Sequence, residues 1–212
     1  MKKTAFIWIL ALLAAGCAGT YLTNSRNFSQ EKRTYDKIIV IGESKSRVAR
    51  AQFEQDVANG FRAQGVNAVA SINSGIDIPM DGSLSDGDAA RLNRQLLQAG
   101  YDGAVITHLV DASEYTDVIP GTPNTRYYPV RYGRFGRYVR YYPVQTWEPD
   151  RMVTGKKYVL ESALYALDDG QKDNLQWVGM FELRNPSNLD QVTGKYAAEL
   201  TGALLKESIS VQ

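Results

Sequence analysis

The chain has 212 residues, 44% hydrophobic and 22% charged, with 24 basic and 23 acidic side chains, one His and one Cys. That composition is globular; one Cys excludes an internal disulfide, and one His with one Cys excludes a zinc site of the usual Cys/His type. A formal charge of +1 gives no reason to expect nucleic acid as a partner of the whole chain, although a balanced total leaves room for a local basic stripe.

At the start, Lys2 and Lys3 precede an apolar run from Ala5 to Ala15, which ends in Ala15-Gly16 before Cys17. A basic region, a short apolar stretch and small residues predict a signal peptide over residues 1–16, too short for a stable membrane-spanning helix. The segment Leu13-Ala14-Ala15-Gly16-Cys17 resembles the lipobox of bacterial lipoproteins, with Ala14 three places before the Cys and Leu13 one further back. The resemblance implies cleavage before Cys17, diacylation of its thiol and acylation of the new α-amine. Acyl chains, each contributing roughly 0.8 kcal/mol per buried methylene, would then hold the protein on a bilayer without a spanning helix. Residue 18 is Ala, not Asp, which by the sorting rule of that family implies the inner leaflet of the outer membrane, facing the periplasm. Removing residues 1–16 leaves 196 residues with 22 basic and 23 acidic side chains, net −1.

Residues 17–36 are polar and lack an apolar period, so they read as the lipidated Cys and a tether; residues 37–212 read as a single α/β domain. Lys37 to Gly42 holds a β-branched run, the pattern of a strand buried on both faces. Over 46–64, Ala49, Phe53, Val57 and Phe61 recur every four residues and Gly65 follows, which predicts an amphipathic helix. Residues 66–70 form a modest second strand. Gly75, Pro79, Gly82 and Gly87 mark a loop, and Ser85 with Asp88 reads as a capping box opening a helix that stops at Gly100. Residues 103–110 form a third strand. Two strand–helix–strand units in succession predict right-handed crossovers and a parallel core. Residues 157–167 and 175–183 read as a β-hairpin, and Asn185 to Asn188 opens a last helix carrying Leu189, Val192, Tyr196, Leu200 and Leu204 on one face. The predicted order is β-α-β-α-β, insertion, β-β-α: an α/β or α+β fold with a mixed sheet of about five strands covered by helices.

The lipobox, the Gly-Tyr-Asp-Gly approach to the third strand (100–103), Leu-Gln-Trp-Val in the last strand (175–178) and the closing helix resemble small bacterial envelope lipoproteins of unknown function. Their folds are similar to those of the periplasmic domain of the curli secretion channel lipoproteins and the N-terminal domain of the Tol propeller protein. The resemblance implies a fold and a compartment, and through the curli type it raises a ring or pore component as one alternative.

The insertion, at about 112–156, holds the most unusual segment. Residues 126–144 read RYYPVRYGRFGRYVRYYPV, with Arg-Tyr-Tyr-Pro-Val at both ends, six Tyr and no acid. Near-symmetry about Gly133 and Gly136 predicts two extended arms folded at a turn, and Pro129 and Pro143 confine them to edge or protruding positions. Arg and Tyr are enriched in binding hot spots, so Arg126, Tyr127, Tyr128, Arg131, Tyr132, Arg134, Phe135, Arg137, Tyr138, Arg140, Tyr141 and Tyr142 form a candidate contact surface. An envelope protein, lipopolysaccharide or a cell-wall polymer would be its partner; the exported compartment argues against nucleic acid. The bland reading, a polar loop whose Tyr and Arg stack on one another, stays open beside it.

Catalytic patterns are sparse. His108 has no Gly-x-Ser-x-Gly nucleophile to serve, and Gly42-Glu43-Ser44-Lys45-Ser46 lacks the spacing of a phosphate loop, so Ser44 or Ser46 reads as a helix cap. Asp77, Asp81, Asp86 and Asp88 do not follow a calcium-loop spacing, and Glu161 and Glu182 carry no mark of an acid/base pair. The expectation is a non-enzymatic, lipid-anchored envelope protein acting as a binding or assembly module, without cofactor or metal. The alternative is an enzyme acting on cell-wall or polysaccharide material, for which a pocket holding His108 would speak.

Overall fold

The computed structural model describes residues 20–29, 31–79, 86–132, 138–168, 174–186 and 188–211. Cys17 and the predicted signal peptide therefore lie outside the described residues, as do Asp81, Ser85 and the glycine turn at 133–137. The chain divides into two compact units, Met1–Asp111 with Tyr158–Gln212, and Ala112–Lys157.

The first unit is built on a six-stranded mixed sheet. Its strands are β1 (Leu22–Asn27), β2 (Ile38–Gly42), β3 (Ala68–Ala70), β4 (Gly103–Ile119), β7 (Arg151–Ala166) and β8 (Leu175–Arg184), in the spatial order β1-β8-β7-β4-β2-β3. β2 is parallel to both β3 and β4. Two helices make the crossovers, α1 (Arg47–Ala63) and α2 (Asp86–Gln98), and α3 (Leu189–Glu207) follows β8. Strand β2 is buried on both faces, which explains its unbroken apolar run. On one face Val57 and Phe61 of α1 meet Tyr196, Leu200 and Leu204 of α3; on the other Ile39 and Ile41 meet Leu96 and Tyr101 beside α2. The mixed α/β architecture is as predicted, with one strand more in the main sheet and a separate pair in the insertion.

The ends of α1 follow local chemistry. Ser46 Oγ accepts the Ala49 N–H (3.3 Å) as N-cap, and Gly65 supplies the left-handed φ of +83° beyond the last turn. The Gly-Tyr-Asp-Gly motif is equally structural. Gly100 takes φ +80°, Tyr101 is buried, and the Asp102 carboxylate accepts the N–H groups of Asp36 (2.8 Å) and Lys37 (3.0 Å). Gly103 leaves room for the Tyr35 ring, which a Cβ there would meet at 2.6 Å.

The tether expectation for 17–36 needs correction. Residues 22–27 pair antiparallel with β8 as an edge strand, Arg33 forms a two-pronged ion pair with Asp168 (3.0 Å each), and Tyr35 is buried in the core. A polar edge strand shows no apolar alternation because only a minority of its residues face the core, so the sequence reads as a loop.

Tyr35 gives a test of this packing. Burial pushes its phenol up to about 12 from 10.0, and its hydroxyl has no hydrogen-bond partner among the described residues. The folded chain therefore holds this proton where the unfolded chain releases it. Stability is whole below about pH 10 and falls as pH rises toward 12, by roughly 2–3 kcal/mol from this group. Tyr35→Phe is expected to be near neutral at pH 8 and to lose that part of the alkaline decline; urea unfolding at pH 8 and near 11.5 checks it, and an unchanged alkaline slope defeats the assignment.

The second unit contains, in chain order, the last residues of β4, the two-stranded antiparallel sheet of β5 (Pro123–Tyr132) and β6 (Tyr138–Trp147), and the first residues of β7. At the base of the pair the Gly121 N–H donates to Asp150 Oδ1 (2.8 Å), and a Cβ at Gly121 would overlap the Glu148 carbonyl oxygen at 1.6 Å, so only glycine fits. No described side chain of 112–157 is buried.

Candidate functional site

The β5–β6 register pairs the two Arg-Tyr-Tyr-Pro-Val copies with each other: Arg126↔Val144, Tyr127↔Pro143, Tyr128↔Tyr142, Pro129↔Tyr141 and Val130↔Arg140. Strand alternation then puts Arg126, Tyr128, Arg140 and Tyr142 on one face and Tyr127, Tyr141 and Trp147 on the other. All four of these tyrosines and Trp147 are exposed. Arg131, Tyr132 and Tyr138 belong to the paired strands, with only their strand positions described; Arg134, Phe135 and Arg137 lie outside the described residues. The two arms of the predicted ribbon are thus present, and each of its faces carries tyrosine.

A second feature was not anticipated as a site. In the first unit a cleft of about 1040 Å³ opens where β2 ends, beside Thr107 to Leu109 of β4, and where α1 and α3 begin. In the order β3-β2-β4 the chain leaves the end of β2 toward one neighbour and later returns to the other, while β4 runs on past it to Ile119. This is the switch-point position at which open α/β sheets form crevices. The two strands stay joined at the base of the cleft by the Glu43 N–H donating to the Thr107 carbonyl (2.8 Å).

One wall comes from the first two turns of α1, with Ala49, Arg50 and Phe53; the facing wall comes from α3, with Leu189, Val192, Thr193 and Tyr196. The apolar stripe read from the sequence therefore has two fates. Val57 and Phe61 enter the core, whereas Ala49 and Phe53 continue the stripe into the cleft. Leu109, Tyr158, Leu160 and Leu183 add further apolar surface from the sheet.

The polar groups around the cleft are held by internal bonds. Tyr196 OH lies 2.9 Å from Ser162 Oγ, which lies 2.5 Å from Thr107 Oγ1. Burial holds the Tyr196 phenol well above its usual range, so at neutral pH it is a protonated bridge and not an acid. Glu54, fully buried beneath the loop, accepts from the Gly42 N–H (2.9 Å), Arg50 Nε (2.8 Å), Ser71 Oγ (2.7 Å) and the Ile72 N–H (2.9 Å). Arg50 also donates to Ser71 Oγ through Nη2 (2.7 Å), so its guanidinium is fixed in the wall.

His108 is among the residues that line this cleft, and alternation along β4 sets it on the sheet face opposite to Thr107. Thr107 and Val105 face α1 and α3, while Ala104 and Ile106 pack with the opposite cluster. His108 shares that opposite face, its Nε2 lying 3.8 Å from Glu161 Oε1. Glu43 is in step with Ile39 and Ile41; partial burial pushes the Tyr165 phenol up, and the Glu161 and Glu43 charges add to that rise. Of the two carboxylates weighed as an acid/base pair, Glu161 stands by His108 and Glu182 accepts from Arg184 Nε (2.7 Å). Of the two candidate caps, Ser46 caps α1, and Ser44 Oγ accepts the Ser46 N–H (3.2 Å). Among the described residues no group of three His, Cys, Asp or Glu side chains is placed to hold a metal ion, and no helix is long and apolar enough to cross a membrane.

The sequence missed the cleft because its walls are distant in the chain. Its one local signal was the Gly-Glu-Ser-Lys-Ser turn, which lines the cleft as the connection from β2 to α1.

No protein-family model matches this sequence, and no curated protein matches it. Among solved structures, the chain is similar to the PelC dodecamer subunit from Paraburkholderia phytofirmans at 12% identity and TM-score 0.46, covering 88% of this chain and 97% of that one. It is also similar to lipoprotein GNA1162 from Neisseria meningitidis at 12% identity and TM-score 0.39, covering 80% of this chain and 98% of that one.

Proposed function

We propose that the protein is a lipid-anchored binding or assembly module of the bacterial cell envelope, non-enzymatic, held through Cys17 at the periplasmic face of the outer membrane. Its contact element is the Arg/Tyr ribbon of β5 and β6. The observation that carries this reading is the pairing of the two Arg-Tyr-Tyr-Pro-Val copies, which exposes Tyr127, Tyr128, Tyr141 and Tyr142 together in a segment without a single acid. Side chains of this kind give contact area at low entropic cost and pair with phosphate or carboxylate, so an anionic envelope polymer, lipopolysaccharide or an acidic protein face is the complementary partner. The lipobox resemblance supplies the anchor and the compartment.

The test replaces Arg126, Arg131, Arg134, Arg137 and Arg140 together by Ser in the full chain. Co-purification of an envelope partner, or binding to lipopolysaccharide, is expected to fall by roughly tenfold or more, as for loss of a hot-spot cluster. Unchanged binding removes the ribbon from the function. In parallel, Cys17→Ser is expected to move the exported protein from the membrane to the soluble periplasmic fraction; persistence at the membrane defeats the anchor.

A further inference from the structure

We propose that the cleft between the beginnings of α1 and α3 takes one acyl chain of an anionic membrane lipid, with the headgroup at the Ser44-Lys45-Ser46 rim. At about 1040 Å³ the cleft lies at the upper end of ordinary ligand pockets, roughly 300–1,000 Å³. Phe53, Leu160, Leu183, Val192 and Tyr196 give it a continuous apolar interior, and Leu109 and Leu189 at the edge are left half-exposed to water. Such a surface gains by being covered with hydrocarbon, and Arg50, Thr107 and Tyr196 on its border are already hydrogen-bonded within the protein.

The cation of the rim is Lys45, because Arg50 in the wall is already paired with Glu54 (2.8 Å); Glu43, which borders the cleft as well, follows Ile39 and Ile41 in alternation toward the opposite sheet face. An apolar interior with a cationic edge is complementary to an amphiphile carrying a negative head.

The course of the chain supplies the occupant's source, and this step rests on the anchor proposed above. The N–H groups of Tyr21 and Leu22 both donate to Glu199 Oε2 (2.6 and 2.9 Å), and Leu22 pairs with Phe181, two residues before the cleft-lining Leu183. Only residues 18–21 separate this fixed point from Cys17. Five steps of extended chain span no more than about 18 Å. A lipidated Cys17 therefore keeps this end of the first unit within that distance of the bilayer, where membrane lipid is at high local concentration.

Lysophosphatidylglycerol and lysophosphatidylcholine, each below its micelle concentration, are the probes, titrated by calorimetry into the mature chain carrying Cys17→Ser. The expected result is saturable binding of lysophosphatidylglycerol at one per chain. Leu189→Glu, at an exposed position, and Ala49→Trp, which fills the cleft, are each expected to weaken it by roughly tenfold or more with the thermal midpoint of Leu189→Glu unchanged. Lys45→Glu is expected to weaken the anionic probe and leave the choline probe as it was. Absence of saturable binding, equal binding by both cleft variants, or a co-purified peptide in place of lipid overturns the proposal. Because the titration uses the Cys17→Ser chain, its outcome is independent of lipidation, which the fractionation experiment reads separately.

Discussion

Glu54→Ala is expected to destabilise the first unit by about 3–5 kcal/mol, the range found when one partner of a buried ion pair is removed. The carboxylate is fully buried and collects two backbone N–H groups, a guanidinium and a hydroxyl. These come from the end of β2, the second turn of α1 and the short 3-10 turn after β3 (Ser71–Asn73), so one side chain joins three elements. Alanine leaves the Gly42 and Ile72 donors without a partner in a site too closed for easy rehydration, and each such group carries its own desolvation penalty. Arg50→Ala leaves the fully buried Glu54 charge without its cation, although three other donors stay on it, so its cost is expected to be comparable. Urea unfolding measures both, and amide exchange at Gly42 and Ile72 shows whether the loss is local to the loop. A cost below about 1 kcal/mol for Glu54→Ala contradicts the organising role given to the carboxylate.

Glu54 also shows where sequence reasoning stops. Its neighbours Phe53 and Val57 sit on a recognisable apolar stripe, but a Glu between them reads as solvent-facing, because charged residues are rarely fully buried unless paired and the pairing is visible only in three dimensions. What was legible was what local physics determines: the double-sided burial of 38–41, a serine cap at 44 or 46, the left-handed Gly65, the helix stop at Gly100, and the self-pairing of the repeat. β1 was not legible, since an edge strand of Leu-Thr-Asn-Ser-Arg-Asn composition has no apolar period to show. The extent of β4, to Ile119, was hidden by the change to polar composition after Val110. The cleft is the largest omission for function. It needs the turn at 42–46 beside the helix start at 188–196, and the sheet order alone makes those neighbours.

The Trp177–Gly179 pair gives the second large effect, one in which the two sites are expected to be strongly non-additive. Trp177 is fully buried, and its Nε1–H donates to Glu207 Oε2 (2.6 Å), a carboxylate that also accepts from Ser25 Oγ of β1 (3.0 Å). Gly179 lies two residues on, the same side of β8, and its missing side chain is the space the indole occupies. A Cβ there would stand 2.2 Å from the ring carbon Cη2 and 2.8 Å from Cζ2 and Cζ3. Trp177→Ala is expected to cost about 3–5 kcal/mol, from lost burial, the cavity and the freed Glu207 carboxylate. Gly179→Ala alone is expected to cost about 3 kcal/mol, at the upper end for overpacking, because a fully buried ring has nowhere to retreat. The atoms in conflict belong to the outer part of the indole, which phenylalanine lacks. In a Trp177→Phe background Gly179→Ala should therefore cost less than about 1 kcal/mol, and the double-mutant cycle should show a favourable coupling of about 2 kcal/mol. Additive costs in that cycle would mean that the indole does not lie over Gly179. A large favourable coupling identifies the glycine as the notch that seats the tryptophan, and through Glu207 and Ser25 that seating fixes the strand from which the short lead to Cys17 departs.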